Sequence, residues 1–316
     1  MKTRTAEIML MLALTLRGTS LLFGKIALRT IGPFLLLGLR FSIAFVIIAI
    51  VFHKQIKKTN WTVLWHSAVL SIFFVGSMAF ELNGLKTTPS STTAFLENGI
   101  IVIVPIVTAL LEKRLPSRIT IISALIAVGG TVLMTMKGVH LGFTHGEFLV
   151  ICGTFCYAGA LIVTDLISKN DDPALISIYQ LLFIGLFSFI ASFIVEDPVM
   201  PSSSTEWGAI LWLAIVCSGV GFTLQPFGQK YTSADRAGLF TAFNPISAAL
   251  LGVIFLHEKL SLTTVAGSLL VLLAVVLPSL VNIIKEKKAG AKGAVEISDD
   301  SITDTTDILE ASSKEF

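Results

Sequence analysis

The sequence predicts an all-α integral membrane protein with ten transmembrane helices arranged as two inverted five-helix repeats, on three observations. Its composition is 54% hydrophobic and 14% charged, against roughly 45–50% and about 25% in soluble domains. Its apolar residues gather into ten runs of about 20, the length a helix needs to cross about 30 Å of hydrocarbon. Its second half also repeats landmarks of the first at an offset near 140 residues.

The ten runs lie at 7–27, 33–52, 62–84, 90–111, 118–137, 146–168, 173–195, 206–226, 234–256 and 262–284. Short polar connections separate them, which leaves no room for an inserted soluble domain. The opening stretch MKTRTAEIMLMLALTLRG has the basic start and short apolar run of a signal peptide. No small-x-small cleavage site follows and Arg17 interrupts the run, so it reads as the first span. From Lys285 the composition turns basic and then acidic, with few residues to bury, and 289–316 reads as a disordered acidic tail. The units expected are a first repeat over 1–142, a second over 143–288, and that tail.

Lys and Arg set the orientation. With the N-terminus inside, the cytoplasmic ends and loops hold Lys2, Arg4, Lys54, Lys57, Lys58, Lys113, Arg114, Arg118, Lys169, Lys230, Arg236, Lys285, Lys287, Lys288 and Lys292. The outer side holds Lys25, Arg29, Lys86, Lys137 and Lys259. This excess places both termini in the cytoplasm. The overall charge of +2 averages a basic membrane edge with an acidic tail and specifies no partner.

The internal repeat has three anchors in the same order. PFLLLGLRF from Pro33 matches PALISIYQL from Pro173, which sets Arg40 opposite Gln180. ELNGLKTTPSSTTAFL from Glu81 lies over QPFGQKYTSADRAGLF from Gln225, pairing Gly84 with Gly228, and PIVTALL from Pro105 resembles PISAALL from Pro245. Five helices per half is odd, so two halves of one fold enter the membrane from opposite sides, a design that puts sites at the repeat interface near the midplane. Pro105 and Pro245, at matching interior positions, each remove a backbone hydrogen bond and form candidate paired hinges.

Several stretches resemble the EamA-type members of the drug/metabolite transporter superfamily. They are LRGTSLLFGKIAL, PFLLLGLRFSIAF, GLKTTPSSTTAFL, VPIVTALLEKRLPS, GTFCYAGALIV, YQLL, QKYTSADRAGL and, most specifically, NPISAALLGVIFLHEKLSLTTVAGSLLVLLAVVL. The resemblance covers residues 7–284 and implies a ten-helix inverted-repeat carrier that exports amino acids or related metabolites across a bacterial inner membrane. The chain departs from the family at Arg17, where a Trp is usual; the equivalent position in the second half is Tyr157.

Charged side chains within the spans are the leading site candidates, because one at the bilayer centre costs at least about 2.5–3.5 kcal/mol and so faces protein or a wet cavity. They are Arg17, Arg40, Glu81, Glu97 and Asp165. Arg40 and Glu97 each lie about seven residues, or roughly 10 Å, from the outer end of their spans. In one reading Arg17, Arg40 and Glu97 line a vestibule that binds a zwitterion or an organic anion, since a guanidinium fork suits a carboxylate. In the other, Arg40 pairs with Glu97 or with helix-end carbonyls and locks the bundle. Asn98, Tyr157, Gln180, Gln225 and Asn244 either add polar groups to the pocket or glue helices together. Glu97 is the expected proton-coupling residue, with Glu81 as second candidate, since a carboxylate whose surroundings alternate between burial and exposure can carry a proton.

The expected function is therefore secondary active transport of a small molecule by alternating access. The alternatives are a non-transporting sensor or scaffold working through its tail, and an intramembrane enzyme. Ser218 has no credible His partner, so no enzyme is expected. Cys152, Cys156 and Cys217 lie in apolar spans without His or carboxylates at ligand spacing, and no metal, cofactor or nucleic-acid partner is expected. Ala248-x-x-x-Gly252 is a close-packing pattern suited to an internal contact or a homodimer. A reporter active only outside the cytoplasm, fused after Lys288, is expected to stay silent; activity there would reverse the orientation.

Overall fold

The computed structural model describes residues 3–88, 90–135, 144–243, 246, 262–263, 265–278 and 280–281. Among them all regular structure is helical. The helices are α1 (Thr3–Gly18), α2 (Ser20–Ala27), α3 (Pro33–Val51), α4 (His53–Ile56), α5 (Trp61–Leu85), α6 (Ser90–Glu97), α7 (Ile100–Leu111), α8 (Arg118–Thr135), α9 (His145–Asn170), α10 (Pro173–Val195), α11 (Ser204–Trp212), α12 (Phe222–Gln229) and α13 (Ala234–Phe240). A further helix, α14, spans Val265–Pro278. The π-helical stretch Leu213–Gly221 joins α11 to α12. Among the described residues, six continuous helical stretches are long and apolar enough to cross a membrane, and Phe95–Leu111, Arg118–Leu133 and Val265–Pro278 are shorter apolar ones. This is a multi-pass membrane protein. The expected repeat boundary at 142/143, the tail, Asn244, Pro245, Ala248 and Gly252 lie outside the described residues.

Local chemistry starts the helices where the sequence changes from polar to apolar. Asn60 accepts the N–H of Val63 at the head of α5, and Asp172 accepts that of Ala174 before Pro173 opens α10. Capping boxes Thr144/Glu147 and Ser203/Glu206 open α9 and α11. α3 is capped from a distance: Glu196, just past α10, accepts the N–H groups of Phe34 and Leu35 at 3.0 and 3.1 Å. A carboxylate at that helix end satisfies orphan donors and meets the positive end of the helix dipole.

At the centre α3 lies along α10, and each reaches toward the other half: α10 packs on α5, and α3 on the π-helical stretch. α5 packs against α9, and α12 against α1. Two glycines set these last crossings. A Cβ on Gly84 would meet Val150 Cγ2 at 2.6 Å and the Gly146 carbonyl at 2.7 Å; one on Gly228 would meet Leu10 Cγ at 2.5 Å and the Ala6 carbonyl at 3.0 Å. Gly84 and Gly228 are the glycines paired by the sequence repeat, and each meets its partner helix at positions 140 residues apart, Ala6/Gly146 and Leu10/Val150.

Gly84→Ala should therefore overpack a crossing that has backbone on the far side and cost about 1–3 kcal/mol. Gly129→Ala and Gly208→Ala, where an added Cβ meets nothing within 4 Å, should be neutral or gain up to about 1 kcal/mol from helix propensity. Thermal unfolding of the purified variants in detergent orders the three.

Candidate functional site

The polar centre is built around a one-residue turn within the first helical stretch. α1 stops at Gly18 and the chain resumes as α2 at Ser20. Gly, Thr and Ser in succession are poor helix formers in which hydroxyls compete for backbone groups. Here the Thr19 hydroxyl donates to the Leu16 carbonyl at 2.7 Å, and Trp212 Nε1 donates to Thr19 Oγ1 at 3.1 Å. Arg17 sits two residues before the break. Its Nη1 donates to the Tyr157 hydroxyl at 2.8 Å and to Gln225 Oε1 at 2.9 Å. The guanidinium carbon lies 4.3 Å from the Phe222 ring centre, 4.6 Å from that of Tyr157 and 5.6 Å from that of Phe74. Three aromatic faces and two oxygens thus replace much of the water that the cation gives up.

A second interruption lies opposite. α6 ends at Glu97, and α7 begins at Ile100 after Asn98 and Gly99. Glu97 and, from α5, Glu81 face Arg17 across a small cavity that Ser20, Ser77, Gly153, Thr154 and Tyr157 also line. The two carboxyls approach within hydrogen-bonding range of each other, and both lie in the field of Arg17. One wall thus presents a guanidinium edge and the other a pair of carboxyls. Among the described residues, no group of three or more His, Cys, Asp or Glu is placed to hold a metal ion.

Of the residues singled out from sequence, the structure brings Arg17, Glu81, Glu97, Tyr157 and Gln225 together. Arg40 is not on the cavity wall, although its charge reaches Glu81. It is 3% exposed, its Nε donates to Ser218 Oγ at 2.9 Å, and its guanidinium lies 4.9 Å from the Phe41 ring centre. Its expected ion pair with Glu97 is not formed: α3 packs on the π-helical stretch that carries Ser218, whereas α6 packs on α9. Gln180 is also engaged, its Nε2 donating to the Phe222 carbonyl at 2.8 Å. That carbonyl would ordinarily accept from residue 226, which is Pro226 and has no N–H, so Gln180 satisfies a backbone group orphaned by proline. Asn98 lines a separate crevice with Phe95, Val102 and Val128. Pro105 sits inside α7, and Asp165 pairs with Lys169 at 2.8 Å near the end of α9.

Sequence reasoning missed Phe74 and Phe222, the cavity residues Ser77 and Thr154, and Gln229. The two aromatics carry no signal, since Phe is common throughout the apolar runs. Gln229 carried one: it stands one helical turn from Gln225 in an otherwise apolar segment.

Relatives agree with this architecture. The EamA-like transporter family matches residues 4–136 and again 144–280. An uncharacterised transporter of Bacillus subtilis, YetK, is 26% identical, covering 93% of this chain and 92% of the relative. An uncharacterised transporter of Archaeoglobus fulgidus is 30% identical over 85% of this chain and 96% of its own length. The WAT1-related protein At2g39510 of Arabidopsis thaliana is 25% identical over 60% of each chain. One crystal structure superposes with a TM-score of 0.73 at 19% identity, covering 88% of this chain and 98% of that one, which establishes a shared fold. With two successive segments, 4–136 and 144–280, each matched by one family model and the cavity residues drawn from both, the chain belongs to the EamA-like transporter family of the drug/metabolite transporter superfamily.

Proposed function

We propose that the protein is a secondary active carrier of small zwitterionic metabolites, amino acids being the best fit, working by alternating access between ten helices in two inverted halves. The observation that carries this reading is the cavity between Arg17 and the Glu81/Glu97 pair. It holds both charge signs within the reach of one small molecule. Arg17 uses Nη1 for Tyr157 and Gln225, which leaves its Nη2–Nε edge for a carboxylate in the bidentate geometry a guanidinium favours. The carboxyl pair opposite suits an ammonium and disfavours a ligand that is only anionic, so the zwitterion is preferred to the organic anion.

Two further features support alternating access. Positions matched by the repeat converge on the same cavity: Arg17 touches Tyr157, 140 residues on. Gln225, the match of Glu81, completes the Arg17 cage. At the opposite end of the bundle, Arg236 on α13 pairs with Glu7 on α1 at 2.8 Å, and His66 on α5 pairs with Asp171 after α9 at 2.7 Å. With both termini in the cytoplasm these pairs tie helices together on the inner side, where Arg236 also lines a cleft of about 490 Å³, and the cavity belongs to the outer half.

Coupling follows from the carboxyl pair. Two carboxyls in contact hold one proton between them, because two adjacent bare carboxylates repel. An ammonium arriving from the ligand displaces that proton, so ligand and proton bind in exchange. The physiological direction is export or exchange across a bacterial inner membrane, driven by the proton gradient.

Two measurements test the reading. Arg17→Gln should weaken the amino acid that gives the largest melting shift in a panel by roughly 10- to 100-fold, the value of about 1.5–3 kcal/mol for a charged hydrogen bond. The corresponding amino amide, which lacks the carboxylate, should bind parent and variant alike. In proteoliposomes with an imposed pH gradient, Glu97→Gln should lose uphill accumulation and keep ligand–ligand counterflow. A variant that retains uphill flux removes Glu97 from coupling, and a parent that ignores the gradient is a uniporter or exchanger.

A further inference from the structure

We propose that Gln229, which lies outside the cavity wall, is a positioning residue: it fixes which end of the Gln225 carboxamide faces Arg17, and through it the posture of the guanidinium. The proposal rests on the reading that Arg17 is the ligand-gripping group.

The chain of contacts has a direction. Gln229 is fully buried, and its Nε2 donates to the Leu161 carbonyl on α9 at 2.9 Å. A backbone carbonyl only accepts, so the amide nitrogen of Gln229 must face it and Oε1 must point the other way. There Gln229 Oε1 accepts from Gln225 Nε2 at 3.1 Å. Gln225, 1% exposed, is thereby turned with Oε1 toward Arg17 Nη1 at 2.9 Å. A guanidinium only donates, so the far end is fixed as well. Reversing either amide sets N–H against N–H or oxygen against oxygen at two junctions in a buried place, where each unsatisfied group carries its full desolvation penalty.

The relay crosses three elements: α9 through Leu161, α12 through the two glutamines, and α1 through Arg17. The residues stand one helical turn apart on α12, which sets both carboxamides on one face. Tyr157 holds the same Nη1 from α9 and, being a hydroxyl, accepts in any rotamer. Gln225 is the partner that needs a second anchor. Without Gln229 its buried amide N–H loses its acceptor, Arg17 alone orients the carboxamide, and the hold of Gln225 on Nη1 loosens.

The test reads Arg17 directly in the full-length protein in detergent, by arginine-selective modification with 2,3-butanedione quantified peptide by peptide. Gln229→Met keeps the shape and removes the amide. It should raise the rate at Arg17 about tenfold, the loss of one hydrogen bond to a charged group, and leave Arg40, held by Ser218, unchanged. Adding Gln225→Glu should restore protection, because a carboxylate accepts through either oxygen and needs no orienting partner. If Gln229 were merely structural, Gln229→Met would raise the Arg17 rate as much in the Gln225→Glu background as in the parent. An unchanged Arg17 rate in Gln229→Met, or a double variant as reactive as the single, overturns the proposal. No transported ligand enters this experiment, so its outcome is separate from that of the carrier reading.

Discussion

A permanent cation inside a helical membrane bundle is the constraint around which this structure is arranged. Arg17 cannot escape its charge by losing a proton. Left unsolvated at the bilayer centre it would cost at least about 2.5–3.5 kcal/mol on insertion scales. The fold meets that cost with three rings at 4.3–5.6 Å, two oxygens at 2.8 and 2.9 Å, and two carboxyls across the cavity. Phe74 comes from α5, Tyr157 from α9, and Phe222 and Gln225 from α12. The same side chain therefore holds four helices in one mutual arrangement. Phe222 in turn stands edge-on to Phe41 and Phe74 at 4.9 Å, which carries the arrangement to α3.

Irregular backbone collects around this point for the same reason. α1 breaks at Thr19, α6 breaks at Asn98 and Gly99, and the span from Ser204 to Gln229 passes through a nine-residue π-helical stretch before Pro226 removes a further N–H. In lipid each freed backbone group must find a partner inside the protein. Gln180 takes the Phe222 carbonyl, Ser177 the Thr223 carbonyl and Thr19 the Leu16 carbonyl. Much of the buried polar inventory in the spans is thus occupied by the backbone, and only part of it remains for a ligand.

That division limits what sequence could reveal. Six of the ten expected runs coincide with helical stretches long enough to span: helices begin at Pro33 and Pro173 as expected, and α5 and α9 fall within a few residues of the predicted runs. The cost of intramembrane charge singled out Arg17, Glu81 and Glu97, and Tyr157, known from sequence only as the position equivalent to Arg17, proves to touch it. The rotation of each helix about its own axis was not legible. In water the apolar stripe marks the buried face, but in lipid both faces are apolar, so Leu36 is fully buried and Ile50 on the same helix is 67% exposed with no pattern to separate them. Hence Asn98 turned away from the cavity, Arg40 took Ser218 instead of Glu97, and Gln180 went to a carbonyl that only the backbone path exposes. The π-helical turn has no signature in LAIVCSGVG beyond two glycines and a serine.

The matched positions also differ in a consistent way. Arg17 corresponds to Tyr157, Arg40 to Gln180, and Glu81 to Gln225, so each pair sets a charge in the first half against a neutral hydrogen-bonding group in the second. The neutral members do the solvating: Tyr157 and Gln225 both hold Arg17, and Gln180 steadies the span that carries Phe222. Backbone geometry is shared, as the equivalent crossings at Gly84 and Gly228 show, while the chemistry is divided. The charge and its hydrogen-bonding partners therefore come from different matches to the one family, Arg17 from 4–136 and Tyr157 and Gln225 from 144–280, so solvating the buried cation is itself what joins the two parts of the chain.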